Sequence, residues 1–435
     1  MKILRTTAAL IALALPAHAA TDIHEVTSPG GITAWLVEDH NIPFTALELR
    51  FRGGTALDPE GQRGAVNLMT ATLEEGAGDL DAQGFAQARD ALAARFGFDS
   101  SADAIAVSAQ MLTENRDQAV DLLRSALVDP TFDPNAVNRV RGQVLSNLAS
   151  AAQDPESIAA LTFQHDAYGD HPYGTDSSGT LDSVKALTPE QLAAVHKAAM
   201  ARDNVYVAAA GDITPEQLGA LLDTLLGDLP ATATAPPGAA TWQADRGTHV
   251  VDFPTPQAVV RFGQPGLDVQ DPDFMAAFVA NEILGGGRFT ARLMDELRSK
   301  RGLTYGAYSQ LATMDLADFV AGQFASDNDK TAEAVGLVRD QWAKIAKDGV
   351  TQPELDAAKT YLTGAYPLRF DGNGPIASIL VGMQMQGFPI DYPKNRNALI
   401  EALTLDDVNR VAAELYDPAK LHFVVVGRPT GLDAH

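Results

Sequence analysis

Hydrophobic and polar residues follow one order of predicted elements twice along this chain of 435 residues. Each half opens with two short β-rich runs, contains a middle strand between helical stretches, and closes with a helix leading into an apolar strand. The strands predicted in the first half span residues 33–38, 46–51, 104–111 and 204–211, and those in the second half span 249–253, 258–262, 317–324 and 421–427. Long helices are predicted over 116–127, 134–152 and 330–347. Such a repeat of grouped strands and helices indicates two related domains.

A stretch of different composition divides the two copies. Residues 229–247 are rich in proline, alanine, threonine and glycine and lack helical periodicity, which is typical of an extended linker. Thr188 and Thr404 stand at similar places in the two halves, where each suits the N-cap of a helix. We therefore predict an α+β fold with two homologous domains, 20–228 and 248–435, each combining a mixed sheet with helices. Two such domains could face each other as half of a clamshell chamber.

The N-terminus has the pattern of a secretory signal peptide at residues 1–19. Lys2 and Arg5 precede an apolar run over residues 6–15, and the small residues at 17–19 form a cleavage site. The run is far shorter than the roughly 20 apolar residues that span a bilayer, which argues against a membrane anchor. The pattern therefore predicts export, and we expect a periplasmic protein without a membrane span.

Composition narrows the chemistry that this chain can perform. It has no cysteine, which excludes disulfides, thiolate metal sites and a cysteine nucleophile. Its net charge of −24 at pH 7 argues against nucleic acid and against anionic membranes as partners. An acidic surface is compatible with the attraction of cationic peptides, and equally with a simple gain in solubility.

Histidine spacing gives no independent zinc motif. Catalytic zinc sites typically use three protein ligands, and helical sites place two histidines four residues apart. No two of the nine histidines are four residues apart. His165 and His171 come nearest and flank Asp166 and Asp170, but Gly169 marks this stretch as a helix end or turn. A polar loop is the favoured interpretation, and a metal site at the two histidines stays open as an alternative.

The segment at residues 63–76, RGAVNLMTATLEEG, resembles the zinc-helix region of the insulinase and pitrilysin peptidases, which carry His-x-x-Glu-His. Asn67, Thr70 and Ala71 stand at the places of the first histidine, the glutamate and the second histidine. Threonine and alanine cannot act as a general base near neutral pH, alanine cannot bind metal, and asparagine offers only a weak neutral oxygen. The resemblance therefore implies a degenerate metal site.

A later segment of the first half continues this resemblance. The family has a further glutamate ligand on a later helix, and Asn147 takes its place in this chain. Val140 takes the place of an upstream supporting glutamate, and residues 171–174 are similar to the family's His-Pro-Tyr-Gly segment. The resemblance implies that every metal-binding position has lost its chemistry and that this chain holds no cofactor.

The second half keeps a motif that the resemblance connects with substrate binding. It is similar to the family's glycine-rich loop followed by an arginine and a tyrosine seven residues apart, here Arg298 and Tyr305. In relatives this pair binds the peptide near the scissile carbonyl and helps to stabilise the oxyanion, a role that suits a permanent cation and a hydroxyl donor. Each residue alone also fits a plainer interpretation, a surface arginine and an aromatic at a strand start. The loop permits close backbone approach or positive φ through Gly285, Gly286 and Gly287.

The resemblance implies a division of labour between two chains. In bacterial relatives of similar size, one subunit carries the zinc motif and a second carries the arginine and tyrosine. We therefore expect a zinc-free subunit of a periplasmic heterodimeric metallopeptidase, with zinc in a sister subunit and unfolded peptides as substrates. An extended peptide is expected to pair with the edge of the strand at 104–111. Two alternatives stay open: a non-catalytic peptide-binding or scaffold protein of the same fold, and an independent peptidase using His165 and His171.

Overall fold

The computed structural model of this chain describes residues 22–432, and the predicted signal peptide at 1–19 lies outside the described residues. The elements of the first half are β1 His24–Thr27, β2 Thr33–Glu38, β3 Phe44–Arg52, α1 Ala65–Thr70, β4 Gly76–Ala77, β5 Leu80–Asp81, α2 Ala82–Ala91, β6 Arg95–Ser100, β7 Ala104–Leu112, α3 Arg116–Val128, α4 Pro134–Ala151, α5 Pro155–Tyr168, α6 Leu181–Ala186, α7 Pro189–Ala199, β8 Val205–Gly211 and α8 Pro215–Leu226. The elements of the second half are β9 Gly247–Asp252, β10 Gln257–Pro265, α9 Phe274–Gly285, β11 Ala307–Thr313, β12 Asp318–Asp327, α10 Thr331–Asp348, α11 Gln352–Ala365, α12 Asn373–Met385, α13 Tyr392–Ala402, α14 Leu405–Leu415 and β13 His422–Gly427.

Two mixed sheets organise these elements, and β4 and β5 form a separate two-stranded antiparallel sheet. The first sheet has the strand order β1-β2-β8-β3-β7-β6, and the second has the order β11-β12-β10-β13-β9. One pair in each sheet is parallel, β2 with β8 and β9 with β13, and the other neighbours are antiparallel. Mixed sheets with helices grouped between their strands confirm the predicted α+β fold class.

Capping residues explain where several helices begin. Thr188 accepts a hydrogen bond from the backbone of Gln191, and Thr404 accepts one from the backbone of Asp407, each within a complete capping box. Both predicted N-caps are therefore confirmed. Asp133 caps α4 with its side chain alone, which accepts from the backbone N–H groups of Asn135 and Ala136, and a proline follows it at the first position of the helix.

The predicted strands match observed ones closely, but β1, β4, β5, β6 and β11 were missed. β1, β4 and β5 are only two to four residues long, and β6 and β11 show only short apolar alternation among polar and small residues, such as Phe96 and Phe98 in β6. The strand that follows Tyr305 begins only at Ala307. Tyr305 therefore lies in the loop before the strand, and its prediction as a strand-start residue is wrong by two positions.

The strand predicted at 104–111 to dock an extended peptide is not an edge strand. It is β7, which pairs with β3 on one side and with β6 on the other. Its backbone groups are already used on both sides, so the docking prediction is wrong for this strand. β6 forms an edge of the first sheet, and β11 forms an edge of the second.

Each half contributes one helix to the sheet of the other half. One face of each sheet is covered by helices of its own half. On the opposite face of the first sheet, α12 packs against β3 and β8, and on that of the second sheet, α5 packs against β10 and β13. Leu380 and Val381 of α12 are fully buried there, and Phe163 of α5 lies against Gly263, where an added Cβ would stand 2.6 Å from the phenyl ring. The two halves are therefore interlocked by two exchanged helices, α5 and α12, each of which lies on the sheet of the other half.

The segment between the halves is fastened to both of them. Residues 230–246 contain neither helix nor strand. The backbone N–H of Gln243 donates to the carbonyl of Ala167 at 2.7 Å, and that of Ala240 donates to the carbonyl of Leu316 at 2.8 Å. Trp242 packs edge-on against aromatic rings of α5. No helix among residues 22–432 is long and apolar enough to cross a bilayer.

Candidate functional site

The segment that resembles a zinc helix forms only a short helix, α1, held at its N-terminus by one carboxylate. Asp58 accepts hydrogen bonds from the backbone N–H groups of Gly64 at 2.8 Å and Val66 at 2.7 Å, and it pairs with Arg63 at 3.0 Å. Burial raises the pKa of Asp58, although the two backbone donors and the guanidinium oppose this rise. Gly64 adopts a φ of 91°, which a residue with a Cβ rarely takes. Asp58 and Gly64 thus set the direction in which α1 leaves the loop.

The former ligand positions cannot hold zinc. The side-chain amide of Asn67 donates to Ser100 of β6 at 3.3 Å, while Thr70 is only 2% exposed and its hydroxyl has no hydrogen-bond partner. Ala71 is exposed and has no donor atom, and Asn147 on α4 is exposed and accepts from Gln143 at 2.9 Å. Within residues 22–432 no group of three or more His, Asp or Glu side chains is placed to bind a metal. The donor set therefore does not fit the family's metal.

Val140, at the place of the supporting glutamate, serves the apolar core. It lies on α4 and packs, partly buried, against the main hydrophobic cluster of the first half. Its environment offers no role for a charged side chain.

The alternative metal site at His165 and His171 is not formed. His165 is exposed on α5. His171 lies in the turn after α5, and its Nδ1 accepts from the backbone N–H of Tyr173 at 3.1 Å while its Nε2 lies 3.0 Å from the carbonyl of Gly238. Because Nδ1 accepts, Nε2 must carry the proton and donate, so both nitrogens are engaged by the backbone. His171 is thus a structural side chain that ties the turn to residues 230–246.

A histidine and aspartate cluster that the sequence did not reveal lies between the halves. Asp166 of α5 lies 2.8 Å from Nδ1 of His249 and 2.9 Å from Nε2 of His422. Burial favours the neutral carboxyl, but the hydrogen bonds with His422 and His249 outweigh it and lower the pKa of Asp166. The three residues are far apart in sequence, so only the packing of α5 on β9 and β13 brings them together. The cluster fastens the exchanged helix.

The glycine-rich loop owes its composition to close packing. An added Cβ at Gly285 would stand 2.7 Å from the backbone nitrogen of Ser309, and one at Gly286 would overlap the carboxylate of Glu282. An added Cβ at Gly287 meets nothing within 4 Å, and none of the three glycines has a positive φ. Close approach, and not left-handed backbone, is therefore what this loop requires at its first two glycines.

A large groove lies between this loop, the edge strand β11 and the exchanged helix α12. Its volume is about 710 Å³. Asn281 of α9 bridges to Ser309 of β11 by two hydrogen bonds, of 2.9 and 2.8 Å, which fix the loop against the strand. The groove wall is rich in aromatic side chains, namely Phe274, Phe278, Tyr308, Tyr366, Phe388 and Tyr392. An unpaired strand edge beside apolar pockets is suited to an extended peptide.

The side chains of Arg298 and Tyr305 both carry hydrogen-bond donors that have no acceptor among the described residues. Arg298 lies on a π-helical turn, Met294–Ser299, and its guanidinium stacks 4.5 Å from the ring centroid of Phe289. It makes no side-chain hydrogen bond or ion pair within residues 22–432, and Tyr305 is 82% exposed with a hydroxyl that is equally unengaged there. No hydrogen bond joins the two residues. Tyr305 also lines a second cavity, beside Tyr308.

Comparison with known proteins connects both halves with one family. A family model described as "Insulinase (Peptidase family M16)" matches residues 34–180, and a model described as "Peptidase M16 inactive domain" matches residues 186–362. The non-peptidase homolog YmxG of Helicobacter pylori is 27% identical over 388 residues, which covers 89% of each chain. An uncharacterized zinc protease of Streptomyces coelicolor is 26% identical over 411 residues, covering 92% of this chain and 88% of that protein.

A solved structure matches the fold over nearly its full length. The crystal structure of a peptidase M16 inactive domain from Pseudomonas fluorescens has a TM-score of 0.89 at 29% identity, covering 95% of this chain and 99% of that chain. Relatives that span most of this chain therefore carry both kinds of description, peptidase and non-peptidase.

Proposed function

We propose that this chain, which belongs to the insulinase family (peptidase family M16), is the zinc-free subunit of a two-chain peptidase. A zinc-bearing sister chain of the same family supplies the metal, its three ligands and the activated water. This chain supplies substrate-binding groups and part of the chamber wall. The pattern at residues 1–19 supports a periplasmic location for the assembly.

The observation that carries this proposal is a selective loss of chemistry. The metal positions Asn67, Thr70 and Ala71 hold no ligand set, and the helix that bears them is packed as an ordinary core element. In contrast, Arg298 and Tyr305 keep hydrogen-bond donors that have no acceptor within the described chain, although the guanidinium of Arg298 stacks on Phe289. A guanidinium and a hydroxyl directed at a developing oxyanion stabilise a transition state only when a nucleophile is present. The partner is needed because this chain has no such nucleophile at the former metal positions.

The groove beside β11 supports peptide as the substrate class. An extended peptide that pairs with the edge of β11 would satisfy backbone groups of this strand and place alternate side chains against the aromatic wall. Such pairing depends on the backbone of the peptide and not on a particular amino-acid sequence. It is therefore compatible with many unfolded peptides.

The test is reconstitution with the zinc-bearing sister chain and a quenched fluorescent peptide. We expect cleavage by the mixture and none by either chain alone. Arg298→Ala combined with Tyr305→Phe is expected to lower kcat by about 100-fold or more, as the loss of oxyanion donors does in other enzymes. The matched control is Arg202→Ala, which removes an exposed arginine in the turn before β8.

Two results would contradict the proposal in different ways. Full activity of the double variant would remove the assigned role of Arg298 and Tyr305. Absence of cleavage by the wild-type mixture, with both chains folded and zinc bound to the partner, would contradict the two-chain peptidase itself.

A non-catalytic peptide-binding role is the second candidate. The observation that favours it is the groove of about 710 Å³ beside the edge strand β11, whose aromatic wall suits an extended peptide. Fluorescence anisotropy of labelled unfolded peptides with the isolated chain tests it. Tight binding that a sister chain neither strengthens nor converts into cleavage would favour this role over the first.

A further inference from the structure

A row of polar side chains crosses the face of the second sheet that is partly covered by α5. Strand register places Arg261 of β10 opposite Gln323 of β12, and Gln323 opposite Tyr308 of β11. On the other side, Arg261 is opposite Val424, which packs in the apolar cluster under α5. Side chains opposite one another in a sheet share a face. The row therefore begins where the cover of α5 ends and reaches the edge strand.

Arg261 is a half-buried cation without a protein partner. Its guanidinium makes no hydrogen bond or ion pair with any residue among 22–432, and its Nε is completely buried and unpaired. Burial lowers the pKa of Arg261, and the negative charge of Glu156 opposes this effect. A buried donor that is left unpaired destabilises the fold, more so when the group is charged. The unpaired hydroxyl of Thr70 lies in the core, whereas the guanidinium of Arg261 lines a cavity, where a ligand can satisfy it.

The surroundings of Arg261 form a defined cavity of about 280 Å³. Tyr305 and Tyr308 line it, as does Glu156 from the first turn of α5. Gly306 leaves room for the ring of Tyr308, because a Cβ there would stand 2.5 Å from the tyrosine hydroxyl. The cavity has the size of one or two side chains and not of a folded domain.

This cavity and the groove beside β11 share a lining residue. Tyr308 lines both of them. Side chains of an extended peptide alternate between the two faces of a sheet that it joins. A peptide paired with β11 therefore directs every second side chain to the face that bears Tyr308, Gln323 and Arg261.

We propose that Arg261 is a specificity-determining residue that binds a carboxylate of the peptide held beside β11. The inference rests on the proposed peptide-binding function. A guanidinium offers a fork of donors that matches the two oxygens of a carboxylate, and the side chains of Tyr308 and Gln323 can donate to the same group. Glu156 lies on the same cavity wall without pairing with Arg261, and its negative charge opposes the entry of a peptide carboxylate.

The carboxylate has two sources, an acidic side chain or a free C-terminus. The probe is a set of labelled, N-acetylated peptides in which glutamate replaces glutamine at each position in turn, each made with an amidated and a free C-terminus. Binding is measured by anisotropy at 0.15 M salt with the full chain, its Arg261→Gln and Glu156→Gln variants, and the matched control Arg202→Gln. Thermal unfolding of every variant reports on folding, and Arg261→Lys retains the charge without the fork.

The wild-type chain is expected to bind the peptide with glutamate at one particular position about tenfold more tightly than the glutamine peptide. A gain of this size is typical of a charge-assisted hydrogen bond. Arg261→Gln should abolish this preference and leave the affinity for the glutamine peptide unchanged, Arg261→Lys should retain part of it, and Glu156→Gln should increase it. A preference for the free C-terminus in place of glutamate identifies the second source.

The outcomes separate this inference from the function on which it rests. Peptide binding without any carboxylate preference, or a preference that folded Arg261→Gln retains, overturns the role of Arg261 and leaves the peptide-binding function standing. Absence of binding by every peptide, to this chain and to its reconstituted complex, overturns both.

Discussion

Cutting the chain between its two halves should leave them associated, because each half holds a helix of the other. A protease site placed at residues 235–238 lies in the segment without helix or strand, where most side chains are exposed. After cleavage we expect both fragments to elute together in size-exclusion chromatography without denaturant. The contacts of α12 with β3 and β8, and of α5 with β10 and β13, are retained in the cut protein.

The Leu380→Ala variant measures how much α12 contributes to the association of the two halves. Leu380 is 0% exposed and belongs to a cluster whose sheet side includes Ala46, Ala208 and Ala210. Such short side chains cannot move to fill the void, so we expect a loss of about 3–4 kcal/mol, in the middle of the range for buried leucine. Since 1.4 kcal/mol is a tenfold change, dissociation of the cut halves should become more than about 100-fold more favourable.

The assay is analytical ultracentrifugation of the cut protein over a dilution series. The matched control is Leu225→Ala, which truncates an equally buried leucine of α8 in the first half's own core. It should lower the free energy of unfolding comparably without weakening the association of the fragments to the same extent.

Separation of the unmodified cut fragments at micromolar concentration would falsify the view that the halves are interlocked. Equal weakening of association by Leu380→Ala and Leu225→Ala would show that general stability, and not the exchanged helix, holds the fragments together.

Three further predictions concern the loop, an ion pair and the lost metal site. Gly285→Ala should cost about 1–3 kcal/mol in urea unfolding, since the added methyl group would press on the backbone of β11, whereas Gly287→Ala should be nearly neutral because nothing lies within 4 Å. Burial alone would raise the pKa of Glu354, but two 2.8 Å hydrogen bonds from Arg292, together with hydrogen bonds from the backbone and side chain of Thr351, lower it to about 2. A depressed carboxyl pKa stabilises the fold above the ordinary value of 4.5, and this stability is lost as pH falls through about 2, so Glu354→Gln should cost about 1–2 kcal/mol near pH 6, after discount for partial exposure, and much less near pH 2. Thr70→Glu should cost about 3 kcal/mol or more at pH 7, because its carboxylate would be buried without a partner, whereas Thr70→Val should be neutral or stabilising because the threonine hydroxyl is unpaired.

Each of these has an outcome that would contradict its reasoning. Equal losses for the two glycine variants would show that close approach is not what Gly285 provides. A Glu354→Gln difference of undiminished size at pH 2 would exclude the ion pair as its source. A folded Thr70→Glu chain with unchanged stability would mean that position 70 is open to water or to a cation.

Much of the candidate site could be predicted from local pattern, since its residues stand at fixed spacing on single segments. Asn67, Thr70 and Ala71 lie on one helix, and the loss of donor atoms at those positions is visible without a structure. Arg298 and Tyr305 were likewise identified together because their segment resembles the family's glycine-rich loop followed by an arginine and a tyrosine seven residues apart. Their proposed roles are still to be tested by the reconstitution described above.

Other parts of the site depend on contacts between distant segments. The pairing of β7 with β6, which removes the strand at 104–111 from the sheet edge, could not be predicted because β6 has only two alternating apolar residues, Phe96 and Phe98, among polar and small ones. His171 looked like a possible ligand until both of its nitrogens were found on backbone groups. No sequence pattern indicates a role for Arg261, since only strand register places it beside Gln323 and Tyr308.

The sequence by itself determined the class of fold, the repeat of two halves and the absence of the family's metal ligands. The class of fold and the repeat follow from periodicity and from caps such as Thr188 and Thr404, which act over a few turns of chain, and the missing ligands follow from the resemblance of residues 63–76 to the family's zinc helix. Only the tertiary structure decided which helix covers which sheet face, which strands form edges, and which charged groups lack partners. Those outcomes depend on burial and pairing between segments up to hundreds of residues apart, and no local pattern encodes them.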